Sequence, residues 1–537
     1  MPHHSSESSR RSTERLSPRQ SAIFMSAILL DGNTLTIAQV ARIAYDPSTQ
    51  VAIAPDALER MRASRAVVDD WVERGAVVYG ITTGFGEFAN VVIDRENLDR
   101  LQENLIRSHS VGAGDWMPAP VMRAMMVLRI NALAKGYSGV RVETVATLVE
   151  MLNRNLVPAA PMQGSVGSSG DLVQLSHLVL AAMGEGRLLK DGSVIPSGPE
   201  LAAHGITPLR LGAKEGLALI NGTQMMASFG CLALHAARLY ARTADVIAAM
   251  SVEALKGTDR AFDERLHAVR PHNGQLAVAA NLRRLMAGSE IRESHRYNDD
   301  RVQDAYSLRC IPQVHGASRD AIDYVGRVLQ TEINSATDNP LIFTDGGGEP
   351  LEGGNFHGQP LALALDFLAI AAAELANISE RRTERMVNGA LSRLPRFLTT
   401  NGGLNSGYMI AQYTAASIVS ENKVLAHPAS VDSIPTSANQ EDHNSMGSIA
   451  AQKAYKIVNN LATVLGVEYI CAAQGIDFLA PLKPGAGVQP PHELLRSHLP
   501  HLEGDRVIFD DLQIASELIR AGEVLAAAEG AIGGELG

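Results

Sequence analysis

The sequence predicts a mainly α-helical protein with a long central helix bundle and a loop-rich N-terminal portion. Several long stretches carry apolar residues at positions i, i+3, i+4 and i+7, the spacing that places them on one face of a helix. Some stretches exceed the roughly 8–20 residues of a typical globular helix, and they lack the heptad charge pattern of a coiled coil. Their faces are rich in alanine, glycine and serine, which favours close packing in a bundle.

The composition is that of an ordinary globular protein with enough apolar material for a large core. The chain has 537 residues, of which 46% are hydrophobic and 20% are charged. Its net charge is −11, so we expect no nucleic-acid partner. No apolar run predicts a membrane span. Cys231, Cys310 and Cys471 are far apart, which predicts reduced thiols in a cytoplasmic protein and neither disulfides nor a metal site.

Composition divides the chain into four segments. Residues 1–26 are polar, rich in serine and arginine and without the apolar stretch of a signal peptide, so we expect a disordered tail. The loop-rich N-terminal portion is expected over residues 27–220. The long-helix bundle is expected over residues 221–480, and a C-terminal helical portion over residues 481–537.

The predicted elements follow in chain order. Residues 28–35 predict a short β-hairpin with Asp31-Gly32-Asn33 as its turn. A helix is expected to start at Leu172. The helical spacing predicts further helices over residues 121–135, 143–153, 224–255, 319–335, 361–388, 406–427 and 448–474.

Short polar or glycine-rich segments lie between these helices, where binding and catalytic residues are commonly found. Seven of them stand out, at residues 79–86, 108–109, 164–171, 221–223, 303–309, 354–359 and 439–443.

The most informative segment is the serine–glycine loop, residues 164–171, which reads Gly-Ser-Val-Gly-Ser-Ser-Gly-Asp. Gly170 has no Cβ atom, so its backbone nitrogen can approach the carbonyl carbon of Ser168, two residues upstream. Such an approach permits the backbone to cyclise and Ser169 to lose water. The product would be an electrophile built from the chain itself.

Taken in order, the seven segments resemble those of the aromatic amino acid ammonia-lyases that use a 4-methylidene-imidazol-5-one (MIO) group, in the ammonia-lyase/fumarase-like superfamily. The resemblance extends over about residues 27–530. It implies that Ser168, Ser169 and Gly170 form the MIO without a metal. The family usually has alanine at position 168, but only backbone atoms of that residue enter the ring. Gln174 stands where proline is more common.

The resemblance also implies roles in the site. Tyr79 matches the tyrosine that removes the β-proton of the substrate. Because a phenol has a pKa of about 10, we expect its surroundings to lower that pKa; taken alone, Tyr79 is as well explained as an aromatic side chain packed on a glycine turn. Asn221 resembles the asparagine that contacts the substrate carboxylate and the MIO. Phe356 resembles an aromatic side chain that packs beside the MIO.

Residues 303–309 supply the predicted carboxylate anchor. The planar guanidinium of Arg309 matches two carboxylate oxygens, and its apolar sequence neighbours favour a buried, paired arginine over a surface one. Tyr306, implied to be catalytic, precedes Arg309 by three residues, so the two share a face if the segment is helical. Gln303 would reach the site from the edge of that face.

The choice of substrate depends on two other segments. Ser108 and His109 stand where family members select the substrate side chain; histidine-specific members carry this pair, as do a few tyrosine-specific ones. Gln440 and Glu441 lie in the sequence Asn-Gln-Glu-Asp-His that histidine-specific members share. A buried carboxylate is favourable beside an imidazole, whereas beside a phenyl ring its desolvation is uncompensated.

The resemblance thus implies elimination of ammonia from L-histidine to give urocanate. The alternative is a tyrosine ammonia-lyase or a tyrosine 2,3-aminomutase with the same chemistry. Thr82 and Asn444 depart from the histidine-specific pattern, since asparagine and a small apolar residue are usual there, and Tyr413 could hydrogen-bond a phenol.

A helical scaffold that binds small molecules without an MIO is the alternative outside the enzymes, and the presence of Ser169 argues against it. Family members assemble each active site from loops of three subunits. We therefore expect a cytoplasmic homotetramer with shared active sites, whose partner is a small amino acid substrate rather than nucleic acid or a membrane.

Overall fold

The computed structural model describes residues 27–297, 299 and 301–537, so the predicted tail at residues 1–26 lies outside the described residues. The described chain is mainly α-helical with short strands, which confirms the predicted fold class. The predicted helices are present, and most ends differ by only a few residues. The helix predicted from residue 319 instead begins at Ile311, where Pro312 occupies the first turn.

Helices of up to 20 residues are interspersed with short strands in the N-terminal part. The helices are α1 (Ile37–Tyr45), α2 (Pro55–Arg74), α3 (Leu98–His109), α4 (Ala119–Ala134), α5 (Val142–Asn153), α6 (Leu172–Ala182), α7 (Ser197–Ala203) and α8 (Glu215–Ile220). The strands are β1 (Ile28–Leu30), β2 (Val51–Ile53), β3 (Ala113–Trp116), β4 (Val157–Pro158), β5 (Pro161–Gln163), β6 (Arg187–Lys190) and β7 (Ser193–Pro196). Strands β1 and β2 pair in parallel. Strand β3 pairs antiparallel with β5, and β6 pairs antiparallel with both β4 and β7.

The predicted β-hairpin at residues 28–35 is wrong. Strand β1 pairs with β2, which follows helix α1 in the chain. The Asp31 carboxylate accepts hydrogen bonds from the backbone N–H groups of Asn33 and Thr34 (2.7 and 2.8 Å), which turns the chain. Thr36 then caps α1 with a capping box. The residues that would continue the second strand of a hairpin enter a helix instead.

Long helices form the centre of the protein. The helices from residue 224 onward are α9 (Gln224–Ala254), α10 (Glu264–Ala268), α11 (Asn273–Leu285), α12 (Glu290–Glu293), α13 (Tyr306–Arg309), α14 (Ile311–Glu332), α15 (Gln359–Val387), α16 (Gly389–Ser392), α17 (Met409–Leu425), α18 (Gly447–Asp477), α19 (Gln489–His498), α20 (Ile508–Arg520) and α21 (Glu523–Ile532). The hairpin of β8 (Leu341–Phe343) and β9 (Glu349–Leu351) separates α14 from α15. Helices α9, α14, α15 and α18 pack against one another, and their apolar faces form most of the core. Helices α9 and α18 have 31 residues each, so each spans about 46 Å.

Buried polar pairs tie these four helices together. Arg382 on α15 and Glu468 on α18 form an ion pair in which both side chains are fully buried. Ser251 on α9 donates to the same carboxylate (2.6 Å), and His315 on α14 lies 2.7 Å from the carboxylate of Asp245 on α9. Leaving such groups unpaired in the core would be costly. The pairs therefore restrict how the four helices, whose ends carry the site, slide past one another.

Among the described residues one helix is long and apolar enough to cross a membrane by length and composition, although the sequence pattern predicted no membrane span. It is α15, and 67% of its most apolar window is buried inside the protein. A core helix of a soluble bundle has the same character.

Candidate active site

Four helices begin at the serine–glycine loop. Helix α6 follows it directly, and groups at the start of α9, α15 and α18 hydrogen-bond to it. The N–H of Met226 on α9 donates to the Asp171 carboxylate (2.9 Å), and the Ser448 hydroxyl on α18 donates to its other oxygen (2.9 Å). The N–H of Gly358, just before α15, donates to the Gly167 carbonyl (2.8 Å). Helix N-termini carry partial positive charge, so the loop lies where negative charge is stabilised.

The Asp171 carboxyl is fully buried behind the loop. Burial raises the pKa of Asp171 to about 7, although hydrogen bonds from Met226 and Ser448 favour the ionised form. Sequence reasoning did not single out Asp171 as a site residue. Its position directly after the Ser-Ser-Gly sequence was the available signal.

Gly170 lies against the backbone of Gly222. The two residues form an isolated parallel bridge, and the N–H of Asp171 donates to the Gly222 carbonyl (2.7 Å). Gly170 has a φ of +85°, and a Cβ atom built on it would lie 2.1 Å from the Gly222 oxygen, so only glycine fits here. Asn221, next in the chain, is buried, and its side-chain oxygen has no hydrogen-bond partner among the described residues. This cradle and this unpaired amide fit a ring formed from residues 168–170.

Glu441 also contacts the loop, through Ser169. The Ser169 hydroxyl donates to one of its carboxylate oxygens, and the Thr436 hydroxyl donates to the other (2.7 Å). Thr436 and Glu441 also pair through their backbones, around a turn in which residues 437–439 have positive φ. Gln440 is brought to the same turn, but it is exposed. Thr436 is a contact that sequence reasoning missed, because only the backbone turn brings it to Glu441.

Residues at which the chain departs from the family pattern surround the same loop. Ser168 is buried, and its hydroxyl donates to the amide oxygen of Asn444. Gln174 is also buried; it accepts from the Ser165 hydroxyl (2.7 Å) and donates to the Pro161 carbonyl (3.0 Å). The polar side chains at these positions therefore have hydrogen-bond partners around the loop.

Tyr79 is half-buried on its glycine-rich turn. Burial raises the pKa of Tyr79; the N–H of Gly86, which donates to the phenol oxygen (3.3 Å), lowers it, and the carboxylates of Glu352 and Glu441 raise it. The expectation of a lowered pKa is therefore wrong for a single chain, because burial and two carboxylates outweigh one donor. Thr82 makes its hydrogen bonds inside the same turn.

Ser108 and His109 end helix α3 at the edge of a mostly apolar cavity. The cavity has a volume of about 450 Å³ and is lined in part by Phe85. The Ser108 hydroxyl donates to the Leu105 carbonyl and also lies 3.0 Å from Nδ1 of His109. Burial lowers the pKa of His109, whereas the Leu105 carbonyl and the Glu441 carboxylate raise it. His109 therefore lies within electrostatic reach of Glu441.

Phe356 lies in the loop before α15 and is half-buried. Its neighbour His357 has Nε2 3.1 Å from the His443 carbonyl, and the two imidazole rings stack with centroids 5.8 Å apart. Since Gly358 bonds to the serine–glycine loop, this segment is held between that loop and the segment that carries Glu441.

The structure does not bring Gln303, Tyr306 and Arg309 to this site within one chain. Tyr306 and Arg309 do share helix α13, and the Arg309 guanidinium lies 4.5 Å from the centre of the Tyr306 ring, which confirms their shared face. However, the segment lies at the C-terminal end of α9, where Arg301 donates to the Leu255 carbonyl (2.8 Å). The serine–glycine loop lies at the other end of that helix.

The lengths of two helices give the distance between Arg309 and the serine–glycine loop. Helix α9, which lies in the chain between Asn221 and Leu255, has 31 residues and spans about 46 Å. Helix α14 begins just after Arg309 and has 22 residues, or about 33 Å. Its last residue, Glu332, accepts from the hydroxyl of Thr223 (2.5 Å), close to Asn221. In one chain Arg309 therefore lies roughly 30 Å or more from the serine–glycine loop.

The Arg309 guanidinium and the side chains beside it are nevertheless available to a ligand. Its Nε is buried without a hydrogen-bond partner among the described residues. The Tyr306 ring beside it is 70% exposed, and Gln303 is exposed too. A guanidinium that retains an unused donor, on an exposed edge, can serve a site completed by another chain. No group of three His, Cys, Asp or Glu side chains that could hold a metal is found in the described part of the chain.

The helix bundle and the serine–glycine loop define a class of enzyme, and comparison with known proteins agrees. The family model for aromatic amino acid lyases matches residues 35–497. The chain belongs to this family: it is a carbon–nitrogen lyase of the ammonia-lyase type, in a family that depends on MIO.

Within this class of enzymes, histidine ammonia-lyases are similar to the chain over nearly its whole length. The chain is 54% identical to the histidine ammonia-lyase of Caldanaerobacter subterraneus subsp. tengcongensis over 500 residues, which cover 93% of this chain and 98% of that protein. It is 51% identical to the histidine ammonia-lyase of Alkaliphilus oremlandii over 508 residues, 95% and 99% of the two chains.

Solved structures share the fold. The histidine ammonia-lyase of Trypanosoma cruzi has a TM-score of 0.87 at 46% identity, covering 94% of this chain and 95% of that one. A tyrosine aminomutase from Streptomyces globisporus has a TM-score of 0.90 at 38% identity, covering 95% and 100%. The fold is thus common to enzymes with different outcomes, and the site must decide between them.

Proposed function

We propose that this protein eliminates ammonia from L-histidine to give urocanate, using an MIO formed from Ser168, Ser169 and Gly170. The contact between the Glu441 carboxylate and the Ser169 hydroxyl carries the proposal. Relatives that are histidine ammonia-lyases, at about half sequence identity over nearly the whole chain, support the same substrate.

Conversion of Ser169 leaves Glu441 with an open hydrogen-bond site. Ser169 gives up its hydroxyl as water, so the carboxylate oxygen that accepted it loses its donor. Thr436 still satisfies the other oxygen. An imidazole N–H of the substrate replaces the lost donor with a charge-assisted bond. A phenyl ring has no donor and leaves the oxygen unpaired, which costs about 1–3 kcal/mol or more.

His109 supplies a second polar contact to the imidazole ring of the substrate. Because burial lowers its pKa, this imidazole is neutral at pH 7 and offers one donor and one acceptor. Its Nδ1 contacts the Ser108 hydroxyl, which leaves Nε2 for the substrate. The neutral His109 and the Glu441 carboxylate together bind an imidazole side chain more favourably than they bind an apolar ring.

The remaining groups of the site act on the amine and the β-carbon of the substrate. The MIO supplies an electrophile that makes the substrate amine a better leaving group. Tyr79 is the proposed base for the β-proton. Because its pKa is raised in the single chain, Tyr79 needs a nearby cation before it acts, and the Arg309 of a second copy or the charged substrate is a candidate. Asn221 offers its unpaired amide oxygen to the substrate or the ring.

Arg309 is the proposed carboxylate anchor, and it implies an oligomer. Within one chain the length of α14 keeps it roughly 30 Å or more from the serine–glycine loop. A shared site therefore needs Arg309, Tyr306 and Gln303 from a second copy. We propose a homotetramer, metal-free and cytoplasmic, in which Phe356 packs beside the MIO. The free thiols of Cys231, Cys310 and Cys471 are consistent with a reducing compartment.

A panel of substrates tests the proposal. The purified full-length chain is incubated separately with L-histidine, L-tyrosine and L-phenylalanine, with the Ser169→Ala variant as control. We expect urocanate and ammonia from L-histidine, with kcat/KM about tenfold to a hundredfold above the other two, and no turnover by the variant. Turnover of tyrosine alone would overturn the assignment of substrate.

The second candidate is a tyrosine ammonia-lyase or a tyrosine 2,3-aminomutase. The likeness to a tyrosine aminomutase, with a TM-score of 0.90, favours it, and a phenol O–H could also donate to Glu441. Tyr413, which sequence reasoning considered as a phenol partner, is 61% exposed on helix α17. Release of β-tyrosine rather than ammonia in the panel would identify the aminomutase.

A further inference from the structure

The serine–glycine loop contains two consecutive serines, so a ring could form in two registers. In the first, the Gly170 nitrogen attacks the Ser168 carbonyl carbon and Ser169 is dehydrated. In the second, the Ser169 nitrogen attacks the Gly167 carbonyl carbon and Ser168 is dehydrated. The sequence alone allows both, but the contacts of the two hydroxyls differ.

The Ser168 hydroxyl is held by an amide. It is buried and donates to Oδ1 of Asn444, whose side chain is fully buried. Asn444 is itself fixed from behind, since its side-chain amide donates to the Ile434 carbonyl and its backbone N–H donates to the Ser433 hydroxyl (2.8 Å). An amide neither takes up nor gives up a proton at ordinary pH, so this hydroxyl has a partner but no acid or base.

The Ser169 hydroxyl has the opposite surroundings. It is half-buried and donates to the Glu441 carboxylate, a group that exchanges protons. The Gly167 carbonyl, which the second register would use, accepts hydrogen bonds from the Gly358 N–H (2.8 Å) and the Ser445 hydroxyl (2.5 Å). Gly167 is thereby fixed in place.

We propose that Asn444 is a positioning residue for maturation: through its bond to the Ser168 hydroxyl it keeps Ser168 intact and aims the Ser168 carbonyl at Gly170, so that Ser169 alone is converted. The inference rests on the proposed function, since it presumes that an MIO forms. The side chains of Ser168 and Asn444 are both polar and buried, and they pair with each other.

The chemistry balances with two waters. Ring closure forms a bond between the Gly170 nitrogen and the Ser168 carbonyl carbon. The carbonyl oxygen leaves as water with the amide hydrogens of Ser169 and Gly170, and a C=N bond remains between Ser168 and Ser169. The Ser169 hydroxyl then leaves as a second water with the hydrogen of its Cα, which forms the exocyclic C=C bond. The Ser168 hydroxyl is retained throughout.

Peptide mass spectrometry of the loop, followed over time after synthesis, tests the inference without an activity assay. The wild type should lose two waters, with fragment ions that place both losses in residues 168–170 and an intact Ser168 side chain. Asn444→Val leaves the Ser168 hydroxyl buried and unpaired, so the loss of water should be roughly fivefold slower or more. Ser168→Ala together with Asn444→Val removes the hydroxyl as well and should restore the rate.

The outcomes separate the two claims. A wild type that loses no water contradicts the proposed MIO itself. A wild type that matures, with Asn444→Val maturing at the same rate, overturns the role of Asn444. If Asn444→Val is slow and the double variant equally slow, Asn444 acts only by holding its own segment, and the inference is wrong. Should Asn444→Val not fold, recovery of a folded, matured double variant supports the pairing and failure to recover it overturns it.

Discussion

Replacing Glu441 by glutamine keeps the side-chain volume and removes the negative charge that faces Ser169. The carboxylate accepts from the hydroxyls of Ser169 and Thr436, one on each oxygen. In the proposed MIO form, in which Ser169 has lost its hydroxyl, the first oxygen would be free for the substrate N–H. A hydrogen bond to a charged group contributes about 1.5–3 kcal/mol, so we expect kcat/KM for L-histidine to fall about 10- to 150-fold.

The assay compares two substrates. Initial rates of wild type and Glu441→Gln are measured with L-histidine and with L-phenylalanine, whose ring has no donor for residue 441. Loop-peptide masses verify that both proteins are matured. Thr436→Val is the matched control: it removes one hydroxyl from Glu441 but keeps the charge, and it should lose less than glutamine does. An equal loss on both substrates would refute the role of Glu441 in choosing the substrate.

Two further predictions concern assembly and pH. Ser169→Ala and Arg309→Ala should each be inactive when expressed alone. Co-expression of the two variants should recover activity, because an intact Ser169 and an intact Arg309 from different chains can meet in hybrid oligomers. If co-expression recovers no activity, the sites are not shared between chains. Burial raises the pKa of Asp171 from 3.8 to about 7, so the folded state holds its proton more tightly. Its contribution to stability is greatest below about pH 4 and is lost as the pH rises through 7. Asp171→Asn should therefore flatten the fall in unfolding free energy between pH 4 and pH 7, measured by chemical denaturation, and an unchanged slope would count against this.

The helices could be predicted from the sequence because their signal is local. Helix α9 was predicted over residues 224–255 and ends at Ala254, since apolar spacing and the absence of proline act within a few turns. Strand β1 was assigned the wrong partner because strand pairing is not local. Its true partner, β2, lies beyond a helix, and the side chain of Asp31 turned the chain away from a hairpin.

The candidate members of the site were proposed from the family resemblance, which gives no information on how they are arranged in one chain. Nothing in the spacing of residues 221, 309 and 441 tells which of them meet in one chain. The structure brings Glu441 to Ser169 and keeps Arg309 at the far end of a bundle helix. The pKa of Tyr79 was expected in the wrong direction for a related reason, because it depends on burial and on distant carboxylates. Sequence reveals the chemistry of a side chain, whereas packing sets its surroundings.

The products formed from L-histidine test the central claim most directly. Purified native protein is given L-histidine, and urocanate and ammonia are both quantified against the histidine consumed. A lyase that acts on histidine is predicted to release one urocanate and one ammonia for each histidine. Consumption of histidine without ammonia, or no consumption by protein whose loop has lost two waters, would contradict the account.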